Sequence, residues 1–236
     1  MAVAAWVLVS VIAGTVAQTV TGIGLVLICG PVLLAMAGPA DGVRLALITS
    51  LLLNAALLAL HRKDVRYRDA MRLFLPAAFI SVPLGLLLRD AHSRTAGAAA
   101  GAGIVLAAAV SWRRRDWPWM RTTTGVVTAG AVTGAMNVLS ATAGPVAALY
   151  AVNAEWPAHT RTATLQACFA ALNIISLAVI GMPSRCGLIA AAALGVLAGL
   201  GPGQMLARCT SPRLARRIVL IVAAAGGLAV IAEFLT

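Results

Sequence analysis

Residues 15–36 read TVAQTVTGIGLVLICGPVLLAM, and residues 134–150 read GAMNVLSATAGPVAALY. Neither stretch contains a charged residue, and each places a break rich in Gly, Ser or Thr before a Gly-Pro pair. Irregular backbone is tolerated at membrane depth only where it is buried in protein or lines a cavity. The two stretches therefore predict a membrane protein with two broken helical elements around an internal cavity.

The order of these features repeats along the chain. The first stretch is followed by Asn54 inside an apolar run and by Pro83 inside the next run, and the second stretch is followed by Asn173 and Pro202. The interval from the Asn to the Pro is 29 residues in both cases. Internal duplication of broken hydrophobic segments is typical of secondary transporters, which bind their substrate where the two halves meet.

The composition argues against a soluble protein. Of the 236 residues, 61% are hydrophobic and 11% are charged, whereas soluble domains carry about 25% charged residues. The formal net charge is +11, but the basic residues lie in short gaps between apolar runs, as topology signals do. We therefore expect the lipid bilayer to surround this chain, and we expect no nucleic acid partner.

Ten apolar segments are predicted, with five in each half. They cover residues 2–20, 23–37, 43–60, 71–88, 95–112, 122–139, 141–154, 163–182, 187–206 and 216–235. A spanning helix needs about 20 residues, and the second and seventh segments are shorter. Charge-free junctions join each short segment to the one before it. Each pair is predicted to form a tight hairpin of half-helices, broken or re-entrant, with its tip inside the protein.

The basic residues predict the orientation. The gaps after segments three, five and nine, together with Arg161, hold 14 of the 18 Lys and Arg residues. The other side receives Arg44, Arg89, Arg94 and Arg185. Because loops rich in Lys and Arg remain cytoplasmic, we expect both termini on the outer face of the membrane.

An odd number of segments in each half gives the two halves opposite orientations. The predicted fold is all-α, a polytopic membrane protein built from two inverted repeats at residues 1–119 and 120–236. Glycines at four-residue spacing predict close helix packing: Gly97 and Gly101, Gly130 and Gly134, and Gly195, Gly199 and Gly203. Helix breaks are predicted at Pro31, Pro83, Pro145 and Pro202, with kinks as the alternative at Pro83 and Pro202.

The predicted binding residues are neutral. No Asp, Glu or Lys lies at the centre of any segment, which argues against a cation carrier and many proton pumps. Hydroxyls, amides and the N–H groups at half-helix starts can bind an anion without a fixed charge. The predicted substrate-binding residues are Thr21, Gly22, Gly24, Thr49, Asn54, Asn137, Ser140, Thr142, Gly144 and Asn173.

Asn54 and Asn173 are the strongest candidates, because each lies at the same depth in its half. A buried amide must find hydrogen-bond partners. Two interpretations stay open at this point: an interhelical hydrogen bond that locks the halves together, or contact with the substrate.

The sequence predicts no cofactor, no metal site and no catalytic residue. Every His lies in or beside a loop without metal-ligand spacing, and neither a Ser–His pair nor HExxH is visible. An intramembrane enzyme is therefore disfavoured. Two further alternatives are an anion channel of the same fold and a structural subunit that carries no flux.

Several stretches resemble the TauE/SafE family, described as sulfite exporters and related permeases. In the first half they are residues 15–36, LITSLLLN and VPLGLLL, and in the second half GAMNVLSATAGPVAALY, RTATLQACFAALN and GLGPGQML. The resemblance covers nearly the whole chain in order. It implies a carrier of sulfur-containing or other small organic anions in the cell inner membrane, usually an exporter.

The expected partner is therefore a small anionic substrate, carried by alternating access and coupled to the proton gradient or the membrane potential. Because no carboxylate lies in the membrane centre, any symported proton would travel on the substrate. A homodimer is left open, since nothing in the sequence fixes an interface.

Overall fold

The computed structural model describes residues 2–89, 93–112 and 117–235. Within them the fold is all-α, as predicted, and each of the ten apolar segments coincides with one helix. The helices are α1 (Ala2–Thr21), α2 (Leu25–Ala37), α3 (Pro39–His61), α4 (Tyr67–Arg89), α5 (Ser93–Trp112), α6 (Thr123–Ser140), α7 (Gly144–Asn153), α8 (Ala158–Ile180), α9 (Cys186–Cys209) and α10 (Pro212–Leu235). Two short 3₁₀ helices cover Arg62–Asp64 and Pro118–Arg121. Arg113, Arg114 and Arg115, counted above among the basic residues, lie outside the described residues, as do the side chains of Arg94 and Arg213.

Seven of the described helices are long and apolar enough to cross a membrane: α1, α3, α4, α5, α8, α9 and α10. This confirms the prediction of a polytopic membrane protein. Helix α2 has 13 residues and α7 has 10, and at about 1.5 Å per residue neither crosses a hydrocarbon core of about 30 Å. The half-helix prediction is wrong for α1, which has 20 residues, because its apolar run continues without a break until Gly22.

Glycine stripes hold the long helices close together. Helix α1 packs against α9, and α4 packs against α6. On α9, a Cβ at Gly199 would lie 2.7 Å from the Cβ of Thr15 on α1. On α6, a Cβ at Gly134 would collide with the carbonyl oxygen of Ala77 on α4. The glycines at four-residue spacing therefore do bring helix backbones together.

Helices α3 and α8 pack against each other, and α5 packs against α10. Helix α2 lies against α3 and α10, while α7 contacts α6 and α8. Each short helix is therefore packed among longer helices.

Three of the predicted helix breaks are wrong. Helix α2 continues through Pro31, α4 through Pro83 and α9 through Pro202. Proline removes only one backbone hydrogen bond, and neighbouring helices re-satisfy the freed groups inside a membrane protein. The Pro31 ring packs closely against Gly226 on α10. A Cβ added at Gly226 would lie 2.6 Å from Cγ of Pro31. Pro145 differs, because it lies in the first turn of α7, where its missing N–H costs nothing.

Candidate functional site

Both hairpin tips meet at one small cavity, between the junction of α1 with α2 and the junction of α6 with α7. Its volume is about 40 Å³, and one water needs at least about 10–15 Å³, so the cavity suits a ligand of a few heavy atoms. The lining residues are Gln18, Gly22, Ile23, Gly24, Val26, Leu27, Ser50, Asn54, Asn137, Ala141, Thr142, Ala143, Gly144, Pro145, Phe169 and Asn173. None of these is charged.

Left-handed backbone shapes both tips. Gly22 has φ +77° and Gly24 has φ +141°, while Ala141 has φ +56°. Glycine adopts such angles freely, whereas the left-handed conformation costs any other residue about 1–2 kcal/mol of free energy. At Ala141 the N–H donates to the carbonyl oxygen of Asn137 at 2.8 Å, which closes the last turn of α6. Each tip is therefore a defined turn.

Side chains of α1 fix the first tip. The Leu25 N–H donates to Oε1 of Gln18 at 3.1 Å, which ties the start of α2 to α1. The Thr21 hydroxyl donates to the carbonyl oxygen of Ala17 at 2.7 Å and accepts from the Ile23 N–H at 3.3 Å. These bonds hold the entry to α2 beside the cavity.

The N-termini of α2 and α7 both lie at the cavity. Val26 and Leu27 of α2, and Gly144 of α7, line it. Neither N-cap residue, Gly24 or Ala143, supplies a side-chain acceptor, and the first turns contain no acidic residue. A helix start presents unsatisfied N–H groups and a partial charge of about +0.5. The Leu25 N–H is bonded to Gln18 and Pro145 has no N–H, so it is the other N–H groups of the two first turns that favour a bound anion.

Asn54 on α3 and Asn173 on α8 both line this cavity. Their exposed fractions are 2% and 1%. In the described part of the chain, the carboxamide oxygen of each is buried and has no hydrogen-bond partner. An unsatisfied buried group costs about 1–3 kcal/mol. An interhelical hydrogen bond through these two oxygens is therefore not formed in this conformation.

Other polar side chains around the cavity are engaged with one another. Nδ2 of Asn137 donates to Oγ of Ser176 at 3.0 Å, and this hydroxyl lies 3.1 Å from Oγ of Ser81. The hydroxyls of Ser140 and Thr142 are 2.6 Å apart. These contacts join α6 to α8 and α4, and they orient the Asn137 carboxamide.

A larger vestibule adjoins the small cavity. Its volume is about 1250 Å³, and it shares four lining residues with the cavity: Gln18, Gly22, Ile23 and Pro145. Four arginines line it: Arg121, Arg161, Arg208 and Arg216. Glu155 pairs with Arg121 at 2.9 Å. The excess of basic groups makes the vestibule attractive to anions.

The opposite ends of α3 and α8 are joined by polar contacts. The Asp41 carboxylate accepts from Nη1 of Arg44 at 3.1 Å and from the Ser184 N–H at 3.3 Å, and the Ser184 hydroxyl also donates to it. Nε of Arg44 donates to the carbonyl oxygen of Ile180 at 2.9 Å. Arg44 and Asp41 belong to α3, whereas Ile180 ends α8 and Ser184 precedes α9. These contacts join α3 to the end of α8 and to the segment before α9, on the side away from the vestibule.

The structure brings seven of the ten predicted binding residues to the cavity: Gly22, Gly24, Asn54, Asn137, Thr142, Gly144 and Asn173. Thr21 lies at the vestibule instead. Thr49 and Ser140 line neither space. Their hydroxyls donate to the carbonyl oxygens of Leu45 at 2.6 Å and Met136 at 3.1 Å, one helical turn back.

Nine lining residues were not among the predicted binding residues, and three of them are Gln18, Ser50 and Phe169. A usable signal was present, since Ser50 and Phe169 precede Asn54 and Asn173 by one helical turn. Residues four apart lie on the same helix face, so both positions follow from the Asn placements. Gln18 lies one turn before Gly22 and is equally close to a tip.

Helices that begin at a buried, uncharged cavity in the middle of a bundle of spanning helices are an arrangement found in membrane transporters. The chain matches the family model described as Sulfite exporter TauE/SafE over residues 6–230. It therefore belongs to this family of membrane transporters, which confirms the resemblance in the sequence. No curated protein and no solved structure matches the chain.

Proposed function

We propose that the protein exports a small sulfur-containing or organic anion, such as sulfite or a sulfonate, across the cell inner membrane by alternating access. The observation that carries this proposal is the convergence of the N-termini of α2 and α7 on one cavity lined by uncharged residues. Helix N-termini bind anions without a fixed charge, and the family description names sulfite.

The cavity size agrees with such a substrate. A volume of about 40 Å³ corresponds to roughly three water-sized groups, and sulfite is a compact anion of this scale. A sulfonate would place its oxygen atoms in the cavity and its carbon chain in the adjoining vestibule.

The pattern of helix contacts supports inverted repeats at residues 1–119 and 120–236. In a repeat, α1 to α5 would correspond in order to α6 to α10. Replacing each helix by its counterpart turns the α1–α9 contact into the α6–α4 contact, and both contacts are present. The same exchange maps the α3–α8 and α5–α10 pairs onto themselves. A pseudo-two-fold axis through the cavity has this consequence, and it would place Asn54 and Asn173 at equivalent positions.

The two ends of the path differ, which favours a carrier over an anion channel. The vestibule lies on the side where most basic residues lie, whereas at the opposite end Arg44 bonds to Ile180 and Asp41. We infer that these contacts close the path at that end. With the basic side cytoplasmic, this conformation faces inward and both termini lie outside. The membrane potential, about 2.3 kcal/mol per charge per 100 mV, then drives an anion out of a cell that is negative inside.

The test is transport by the purified protein in proteoliposomes. Labelled sulfite and a two-carbon sulfonate are followed with and without a pH gradient, and counterflow is measured with unlabelled anion inside. We expect saturable flux with counterflow. In Asn54→Ala and Asn173→Ala we expect kcat/KM to fall at least about tenfold, because each variant loses a polar contact to the anion.

Thr133→Val serves as the matched control. The Thr133 hydroxyl is also buried without a partner among the described residues, but it lines neither space. This variant should transport as the wild type does. Conductance without saturation or counterflow would identify a channel, and flux unchanged in both Asn variants would remove these residues from the site.

A further inference from the structure

Four residues line both the small cavity and the vestibule: Gln18, Gly22, Ile23 and Pro145. Together they form the neck between the two spaces. Among these four residues, only Gln18 has a polar side chain. An anion that moves between the arginines of the vestibule and the helix starts at the cavity therefore passes one polar side chain at the neck, the carboxamide of Gln18.

The Gln18 carboxamide is held in one orientation. Its Oε1 accepts from the Leu25 N–H at 3.1 Å. A backbone N–H can only donate, so the carboxamide atom beside it is the oxygen, and Nε2 is the free end of a side chain that is partly exposed. Within the described residues, Nε2 donates to no protein acceptor. Both of its N–H groups can therefore donate to a ligand at the neck.

The second hairpin tip has a carboxamide at the matching distance. Gln18 lies 36 residues before Asn54, and Asn137 lies 36 residues before Asn173. Gln18 and Asn137 both line the small cavity. Nδ2 of Asn137 already donates to Oγ of Ser176 at 3.0 Å. Each tip therefore brings a carboxamide to the cavity, and the first tip keeps its whole amino group for a ligand.

We infer that Gln18 is a substrate-binding residue, whose Nε2 donates to the anion at the neck while its Oε1 holds the start of α2. This inference rests on the proposed transport of a small anion and adds a residue to its binding site. An amide N–H forms a charge-assisted hydrogen bond to an anion without bringing a fixed charge into the membrane. One side chain then joins the bound anion to α2.

Two substitutions at Gln18 separate binding from a structural role. Gln18→Glu keeps an oxygen that accepts from the Leu25 N–H, but it replaces the amino group by a second oxygen and adds a negative charge. Gln18→Met has a similar length and no charge, and it lacks both hydrogen-bonding groups. The KM for labelled sulfite is measured in proteoliposomes at one pH, at low and at high salt. We expect both variants to raise the KM at least about tenfold.

Gln204→Glu is the matched control. Gln204 lies on α9 and lines the vestibule but not the small cavity, and it is exposed. The substitution makes the same change of charge outside the neck. Because salt screens exposed charges, its KM should rise at low salt only, whereas the KM of Gln18→Glu should stay raised at high salt.

The pattern across the two Gln18 variants decides the role of the residue. If Gln18 only holds α2, the KM rises in Gln18→Met and stays at the wild-type value in Gln18→Glu. If only the added charge matters, the KM rises in Gln18→Glu and not in Gln18→Met. Either pattern would overturn the inference. If Gln18→Met fails to fold, the high-salt KM of Gln18→Glu decides, and a wild-type value there would overturn the inference.

Thermal unfolding gives a readout that does not depend on flux. An anion that binds the folded state raises the Tm. We expect sulfite to raise the Tm of the wild type and of Gln204→Glu, and to raise that of the Gln18 variants much less at the same concentration. An equal rise in all four proteins would overturn the role of Gln18 and leave the proposed transport intact. A Tm rise in the wild type without flux would count against transport alone, and absence of both in the wild type would overturn both proposals.

Discussion

The contact between α1 and α9 holds the first hairpin tip in place, and one pair of substitutions on α9 tests it. A Cβ at Gly199 would lie 2.7 Å from the Cβ of Thr15 and 3.0 Å from the carbonyl oxygen of Ile12. Gly201, two residues later on the same helix, has nothing within 4 Å of that position. Gly199→Ala therefore pushes α1 away from α9, whereas Gly201→Ala adds a methyl group in open space.

The expected effects have opposite signs. Both substitutions gain about 0.8–1.0 kcal/mol of helix propensity. Overpacking at a tight contact costs about 1–3 kcal/mol, and only Gly199→Ala incurs it. Gly201→Ala should thus be more stable than the wild type by up to about 1 kcal/mol, and Gly199→Ala should be less stable than Gly201→Ala by about 1–3 kcal/mol.

Thermal unfolding in one detergent at one scan rate measures this difference. A change of 1 kcal/mol moves the Tm by about 2–4 °C in a chain of this length, so the two variants should separate by several degrees. Sulfite flux should fall in Gly199→Ala, because α1 carries Gly22 to the cavity, and should persist in Gly201→Ala. Equal Tm values for the two variants would refute the close packing of α1 on α9.

Three further predictions concern the tip, the closed end and the vestibule. A Cβ at Gly22 would meet free space, but the residue has φ +77°. Gly22→Ala should therefore lose about 1–2 kcal/mol of stability from backbone strain alone, measured as a lower Tm, whereas Gly201→Ala should not lower the Tm. Asp41→Asn weakens the contacts with Arg44 and Ser184. In a protein that also carries Ser50→Cys in the cavity, it should raise the rate at which a thiol reagent added from that end labels the cysteine by about tenfold. An unchanged labelling rate would show that these contacts do not close the path. Arg161→Gln should raise the KM for sulfite most at low salt, while Arg89→Gln, which lies away from the vestibule, should leave the KM as it is.

The Asn residues were better guides to the cavity than the hydroxyl residues, and the reason is chemical. Thr49 and Ser140 satisfy their hydroxyls on carbonyl oxygens one turn back in their own helices. Such bonds let a hydroxyl residue sit in any apolar helix without a further role. The Asn54 and Asn173 carboxamides carry more hydrogen-bonding groups than such a local bond satisfies, so their presence in an apolar run points to a neighbouring cavity or ligand.

The prolines misled for the opposite reason. In water, an internal proline ends or kinks a helix, and Pro31, Pro83 and Pro202 were predicted as breaks on that basis. Between packed helices the helix continues, because the apolar surroundings offer the backbone no better partner than its own hydrogen bonds. The breaks that matter occur instead at Gly22, Gly24 and Ala141, where positive φ angles redirect the chain.

The proposed repeat relates Asn54 to Asn173, but it does not relate the polar contacts at the two ends of α3 and α8. If Asn54 corresponds to Asn173, then Arg44 corresponds to Ala163, since each lies ten residues before its Asn. The hydrogen bond from Arg44 to the carbonyl oxygen of Ile180 therefore has no symmetric counterpart, because alanine has no side-chain donor. The vestibule end carries Arg161 two residues earlier, and this residue lines the vestibule together with Arg121, Arg208 and Arg216. On the proposed repeat, symmetry would relate Asn54 to Asn173, whereas the two helix ends would differ in charge.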